Sequence, residues 1–380
     1  MSLDNFSAVI LAAGFSSRMG CFKPLLSLGS KTVIQRVISI FKENGVKDIF
    51  VVTGHRSDEV ALLAKFAGAQ VVDNQDFQTG MFSSVKAGVK EIRPGTAAFF
   101  VMPSDIPLVR RFTISRLMSE FEKNPGKIIH PRFSGKRGHP PLIPISLFPD
   151  IINGSGHGGL KAILDAHKSL EVCVDVPDQN ILFDIDYPHD YQELLNRWQS
   201  YEIPSPEECD MILEKIHPVS DSLFRHCRRV AQAAMSIGQA IDLDINLNIK
   251  LIRAGAMLHD IAKGKKDHAQ AGAVMLKEMG FHQVGEIVAL HTDLSVTENS
   301  EISEAEVVYL ADKFVKGEQI IPLSKRFDLA AERFKDNPDA IANIRIRRQQ
   351  AMTVKKRLEV YTKQPLETII ENHTKIDLQK

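Results

Sequence analysis

Cysteine is scarce in this sequence and unpaired: four in 380 residues, at Cys21, Cys173, Cys209 and Cys227, with no Cys-x-x-Cys spacing. That argues against an extracellular disulfide framework and suits reduced thiols in a cytoplasm. Net charge is missing as well. The 47 Lys and Arg balance 47 Asp and Glu, so no bulk field draws the chain to nucleic acid or to a membrane. No apolar run is long enough to span a bilayer, and the N-terminus lacks the charged, apolar, then small-residue order of a secretion signal. The expectation is a cytoplasmic protein. Repeats and low-complexity segments are absent. The glycine loop that follows the apolar run 8–11 lacks two phosphate-binding signatures: it has neither the Gly-Lys-Ser/Thr ending of a P-loop nor the GxGxxG of a dinucleotide-binding turn.

What is present falls into two halves. At 42.4 kDa the chain is long enough for two cores. Up to about Trp198, short β-rich runs (Ala8–Leu11, Ile49–Thr53, Gln70–Asp73, Ala97–Met102, Lys127–Pro131) alternate with helical patterns such as Val33, Ile34, Val37, Ile38 and Phe41. Such alternation predicts an α/β domain, a mainly parallel sheet with helices on both faces, over residues 1–200. Two prolines and a cluster of acids then read as a linker over 201–208. From Cys209 helical periodicity takes over. It predicts an all-α domain over 209–340, with apolar faces at 251–262, 270–279, 284–291 and 304–315. A charged helix and a polar tail that frays follow over 341–380.

In the first half, the apolar run Ala8-Val9-Ile10-Leu11 passes into Ala12-Ala13-Gly14, two serines, Arg18 and Lys23. A buried strand entering such a loop offers backbone N–H groups and two cations to a polyanion, or is an ordinary strand–turn–helix connection. Asp105 follows the apolar Phe99-Phe100-Val101-Met102. A carboxylate at the carboxyl end of a parallel strand is where such a fold holds Mg²⁺, though by residue type it also reads as a turn or capping Asp. Gly80, Ser83 and Ser84 precede a helix, where the serines read as ligand contacts or as caps. Arg137 and His139 lie in a Gly- and Pro-bounded turn, and Asp184 and Asp186 form a second acidic pair.

The stretches LAAGFSSRMGCFKPLL, GMFSSVKAG, MPSDIPLV, GKRGHPPL and DIDYPHDY, in that order, resemble the nucleotidyltransferases that build nucleotide forms of the molybdenum cofactor. The resemblance covers residues 6 to 198, and Ala12-Ala13-Gly14 is similar to the cytidylyltransferase branch. Ser104 stands where that family has Gly before the Asp, a departure that bears on substrate more than on the metal ligand. The resemblance implies a nucleoside triphosphate, CTP first, lying along Leu11, Ala12, Ala13, Gly14, Gly80, Ser83 and Ser84. Arg18 and Lys23 would neutralise its phosphates, and Asp105 with Asp184 or Asp186 would hold Mg²⁺. It further implies a molybdopterin-type acceptor, with Arg137 and His139 as its candidate contacts, and a molybdoenzyme or its chaperone as protein partner.

In the second half, His259-Asp260 ends an apolar helical pattern that Gly264 is expected to stop. Adjacent residues point about a third of a turn apart, so both reach one ion only near a helix end. His226, His291 and Asp312 sit on otherwise apolar helix faces. Each alone reads as a satisfied core residue, but together on buried faces they call for a shared cation. Imidazole and carboxylate donors suit Fe, Mn, Zn or a similar ion. The order His226, His259-Asp260, Asp312 is similar to the HD superfamily of metal-dependent phosphohydrolases over about Ser222 to Val315. The additional His268 and His291 resemble members that bind two metals, and Lys263 matches a lysine that meets the substrate phosphate. The whole chain thus reads as a bifunctional enzyme, a nucleotidyltransferase followed by a phosphohydrolase. The alternative is a transferase for a sugar or alcohol phosphate, with the helical half as a nucleotide or metal sensor.

Overall fold

The computed structural model describes residues 5–241, 245–294, 296 and 301–377, with side chains as far as 372. It divides into two compact units, Met1–Tyr201 and Glu202–Lys380.

The first unit contains β1 (Phe6–Leu11), a small hairpin of β2 (Ser27–Leu28) and β3 (Lys31–Thr32), α1 (Val33–Lys42), β4 (Asp48–Thr53), α2 (Ser57–Ala67), β5 (Gln70–Asp73), α3 (Met81–Lys90), β6 (Ala98–Pro103) and α4 (Arg111–Lys123). It continues through β7 (Ile128–Phe133), β8 (Lys136–Arg137), β9 (Leu142–Pro144), α5 (Phe148–Asn153), α6 (Gly159–Ala166), β10 (Glu171–Asp175) and α7 (Pro188–Gln199). The main sheet runs β10-β7-β9-β6-β1-β4-β5, with β8 paired to β7. Most pairs are parallel, and β9 is the antiparallel insertion between β6 and β7. Every residue of β1 is buried, as a strand covered on both faces requires. α3 lies close on the sheet: a Cβ at Gly88 would come within 2.3 Å of Val9 Cγ1, so only glycine permits that approach. Because β4 and β6 flank β1 on opposite sides, the strand order reverses at β1. That is the point where open α/β sheets form a crevice at the strands' carboxyl ends.

The second unit is helical: α8 (Pro206–Met211), α9 (Asp221–Ala240), α10 (Ile249–Leu258), α11 (His268–Glu278), α12 (His282–Leu290) and α13 (Glu304–Phe314), then the two-residue strands β11 (Val315–Lys316) and β12 (Gln319–Ile320), α14 (Leu323–Arg333), α15 (Pro338–Thr362) and α16 (Leu366–Asp377). At its centre is α13, buried at every residue from Ala305 to Phe314.

Three expectations need correction. Of the linker's acids, Glu207 and Glu208 belong to α8, whose start is a capping box: Ser205 Oγ accepts from Glu208 N at 3.2 Å and Glu208 Oε2 accepts from Ser205 N at 2.9 Å. The polar tail is largely α16, because Leu366, Ile369 and Ile370 recur at helical spacing and are buried. Finally, α10 stops at Leu258 rather than at Gly264, and His259 to Lys263 form a turn.

Candidate functional sites

In the first unit, β1 ends beside β6, with Leu11 opposite Pro103. This register sets the loop 12–22 against Ser104 and Asp105, and Ser104 N donates to Leu11 O at 3.0 Å. Lys23 is held by a backbone bond to Ser16 Oγ at 3.2 Å. Its Nζ donates to Asp105 Oδ2 at 3.1 Å and to Asp186 Oδ1 at 2.8 Å. Arg18 Nη1 pairs with the other Asp186 oxygen at 2.9 Å. Two carboxylates from distant segments therefore converge on one cation position, the donor chemistry that suits Mg²⁺. Burial raises the Asp105 pKa despite the pull of Lys23. For Lys23 burial acts the other way, but the bonds to Asp186 and Asp105 outweigh it and raise its pKa.

Two clefts meet here. One, of about 340 Å³, is lined by the Leu11–Ser16 loop, Lys23, Phe77, Gly80, Ser84 and Asp105. The other, of about 630 Å³, adds Arg18, Arg137, His139, Asp184 and Asp186. Ser83 is turned to local bonds: it donates to Asp76 O or Gly80 O at 3.0 and 2.9 Å and accepts from Asn74 Nδ2 at 2.9 Å. The same amide reaches Ser84 Oγ at 2.9 Å. Sequence reasoning missed the buried Asn74, which sets both serines, since an Asn after a short strand reads as a turn residue. Arg137 is exposed and pairs with Glu171 at 2.6 Å and Asp165 at 3.5 Å.

In the second unit, six residues from five segments meet. His226 comes from α9, His259 and Asp260 from the turn after α10, His268 from the start of α11, His291 from the end of α12 and Asp312 from α13. His226 Nε2 lies 3.3 Å from Asp312 Oδ1, and His259 Nε2 is 3.3 Å from Asp260 Oδ2 and 3.5 Å from Asp312 Oδ1. On the other side, Asp260 Oδ1 is 3.3 Å from His268 Nε2 and 3.5 Å from His291 Nε2. Donor atoms within 4.8 Å of one another form two groups, His226-His259-Asp260 and Asp260-His268-His291. Asp260 belongs to both.

Three of the imidazoles are oriented by backbone carbonyls. Nδ1 of His226 bonds Gly317 O at 2.9 Å, that of His259 bonds Ala256 O at 2.8 Å, and that of His291 bonds Val288 O at 2.6 Å. A proton on Nδ1 leaves the Nε2 lone pair facing inward, as a metal ligand requires. Buried His259 Nε2 and Asp260 Oδ1 have no well-formed hydrogen bond among the described residues. These orphaned atoms, with four inward nitrogens around two carboxylates, fit one or two divalent ions. Burial raises the Asp312 pKa, but Lys313, His226 and His259 outweigh it and hold it well below the usual range. Asp260 behaves alike against His259, His291 and Lys263. The centre thus favours positive charge. Lys263 Nζ caps Asp260 Oδ2 at 2.6 Å. Unforeseen from sequence, buried Lys313 bonds Asp312 Oδ2 at 2.9 Å and His291 O at 3.1 Å.

Residues 8–171 match the MobA-like NTP transferase domain family, and residues 223–317 match the HD domain family. The molybdenum cofactor cytidylyltransferase of Escherichia coli is 28% identical over 195 residues, covering 50% of this chain and 95% of that protein. The nicotine blue oxidoreductase of Paenarthrobacter nicotinovorans is 26% identical over 198 residues, 50% of this chain and 96% of its own. A tRNA (cytidine(56)-2'-O)-methyltransferase of Picrophilus torridus is 33% identical over 143 residues, and the chain spans only 40% of its length. A solved nucleotidyl transferase from Methanothermobacter thermautotroptrophicus has 24% identity and a TM-score of 0.45, covering 51% of this chain and 97% of that one. No described helix is long and apolar enough to cross a membrane.

Proposed function

We propose that this chain, which joins a MobA-like NTP transferase domain to an HD domain, is a bifunctional enzyme of phosphate chemistry. Its first half transfers a nucleotidyl group, from CTP, to the phosphate of a molybdopterin-type acceptor. Its second half hydrolyses a phosphoester or phosphoanhydride. The observation that carries the first reading is the convergence of Asp105 and Asp186 on Lys23 at the mouth of the Leu11–Ser16 loop.

The residues divide the work as follows. The loop and Gly80 hold the nucleotide, and Arg18 and Lys23 neutralise its phosphates. Asp105 and Asp186 would hold Mg²⁺, which supplies further charge neutralisation when bound. The acceptor's phosphate oxygen then forms a bond to the α-phosphorus, in line with the breaking bond to the leaving pyrophosphate. No side chain need act as nucleophile, because positioning and charge stabilisation carry such a reaction. Lys23, already shared between two carboxylates, is free to turn to the pyrophosphate once another cation takes its place. The CTP assignment rests on Ala12-Ala13-Gly14 and on the E. coli relative. The acceptor assignment rests on the same resemblance, and a relative of very different name spans the same half.

In the second half the six ligands would hold one or two divalent ions, which supply Lewis acidity and an activated water. Lys263, whose side chain is about half exposed and whose Nζ caps Asp260, meets the substrate phosphate. The test is pyrophosphate release from each of the four common nucleoside triphosphates with molybdenum-loaded molybdopterin. Release with CTP is the expected result. Turnover of a sugar or alcohol phosphate instead would overturn the acceptor assignment.

A further inference from the structure

Next to the metal-side cleft lies a third cavity of about 390 Å³, whose wall is chiefly apolar, with Leu11, Phe82, Val85, Leu160 and Leu164 in it. The two share Met81, Pro103 and the Arg137–His139 turn, so they adjoin along one rim. Gly158 and Gly159, also in the third cavity's lining, take left-handed backbone, with φ of 72° and 63°. A Cβ on Gly158 would come within 2.8 Å of Ala162 Cβ, so that position requires glycine. In the wall, on β7, stands His130. It is 7% exposed, and its Nε2 has no hydrogen-bond partner among the described residues. An unpaired imidazole nitrogen in an apolar wall is costly, and a hydrocarbon of similar size would fill the place without that cost.

We propose that this cavity seats the body of the acceptor, and that His130 sets which acceptor is taken by hydrogen-bonding one polar edge of a flat heterocyclic ring. The inference rests on the transferase reading above. It separates the two acceptor classes left open there. A sugar or alcohol phosphate carries several hydroxyls, each needing a partner when buried; this lining is mainly apolar, and its polar members besides His130 are His139, Lys161 and Arg137, the last paired with Asp165. A ring with apolar faces needs partners only at its edges. A neutral imidazole provides one donor and one acceptor. Burial favours that neutral form, against the opposing pull of Glu171 and Asp165 and with the help of Arg137 and His139.

The experiment compares the full chain with His130→Leu and His130→Gln, using a pterin monophosphate and ribose 5-phosphate as probes. Calorimetry reads probe and CTP binding, and pyrophosphate release reads turnover. The pterin phosphate should bind the native chain at least about tenfold tighter than ribose 5-phosphate. His130→Leu should weaken it about 10- to 100-fold and leave CTP binding unchanged, and His130→Gln, which keeps a donor and an acceptor, should recover part of the loss. Unchanged CTP binding also certifies the fold; if His130→Leu loses it, His130→Gln decides, its binding lying between the native value and none. The proposal is overturned if the pterin phosphate does not bind, if ribose 5-phosphate binds as tightly, or if both variants bind the pterin phosphate like the native chain. Failure of the transferase reading looks different: binding that depends on His130, with no pyrophosphate released from any nucleotide.

Discussion

The two candidate sites hold their charges in opposite ways. In the first half the cations belong to a loop: the Arg18 side chain is 61% exposed, and Lys23 bridges carboxylates from separate segments. In the second half the donors come from helix ends and faces, three imidazoles are fixed by backbone carbonyls, and Asp260 and His259 are essentially inaccessible. The first arrangement can rearrange when a nucleotide arrives with its cation. The second would be built around a charge that is always there, because its buried carboxylates and the orphaned His259 nitrogen are costly without one. On the proposed reading, one site would be completed by substrate and the other by a resident ion.

The largest effect that would break this contrast comes from a crossed pair of variants. Asp260→Ala removes the ligand common to both donor groups, and it should abolish phosphoester hydrolysis, on the order of 10³-fold or more. Elemental analysis should find transition metal in the native chain and background levels in the variant. Asp105→Ala should abolish pyrophosphate release to a similar degree, with hydrolysis and metal content unchanged. If Asp105→Ala also loses the tightly held metal, or Asp260→Ala keeps it, the assignment of resident and substrate-borne ions is wrong.

A smaller effect sharpens the contrast. Lys313 touches the Asp312 carboxylate and the His291 carbonyl, so it fixes two ligands without being one. Lys313→Met keeps the stem and removes the ammonium. Metal affinity, measured by competition with a chromophoric chelator, should fall about 10- to 100-fold. Pyrophosphate release should not change. An unaltered affinity would mean that α13 packing alone orients Asp312.

The two sites were also unequally legible in the sequence. His226, His291 and Asp312 stand out because such residues are rarely buried on apolar helix faces, His259-Asp260 because it ends an apolar helical pattern, and His268 only through the resemblance to two-metal HD members. The structure brings all six together. Lys313 carries no such signal: next to Asp312 on a helix it reads as a solvated cation, and its burial follows from the position of α13 at the centre of the unit. In the first half the strand runs at β1, β4, β5, β6 and β7 are visible from composition, and alternation with helices predicts a mainly parallel sheet, but neither the strand order nor the antiparallel β9 within it follows from that alternation. The meeting of Lys23 with Asp186 depends on how the chain from β10 returns to the loop, which no local pattern encodes. His130 and Asn74 are hidden for the same reason. The start of α8 was legible after all: Ser205-Pro206-Glu207-Glu208 is a capping-box sequence with proline in the first turn, and prolines and acids at a boundary suggest a linker only when that spacing is overlooked.

The finest test concerns the rigidity on which the comparison depends. α13 begins with a capping box: Glu306 Oε2 accepts from Ser303 N at 3.0 Å, and Ser303 Oγ faces Glu306 N at 3.4 Å. Glu306 is 1% exposed, and its other oxygen takes a bond from Arg357 Nε on α15 at 2.9 Å. Ser303→Ala removes the hydroxyl and leaves the Glu306–Arg357 pair in place, so the cost should be that of one cap, about 1 kcal/mol. For a unit of this size that is a fall in Tm of roughly 2–4 °C. Asp312 sits more than two turns farther along, on a helix buried at every following position, and fraying reaches only the first turn. Metal content and hydrolysis should therefore equal those of the native chain when measured well below Tm. A loss of metal with so small a loss of stability would show that the ligand set depends on the whole length of α13, and that the second site is less rigid than its hydrogen bonds imply.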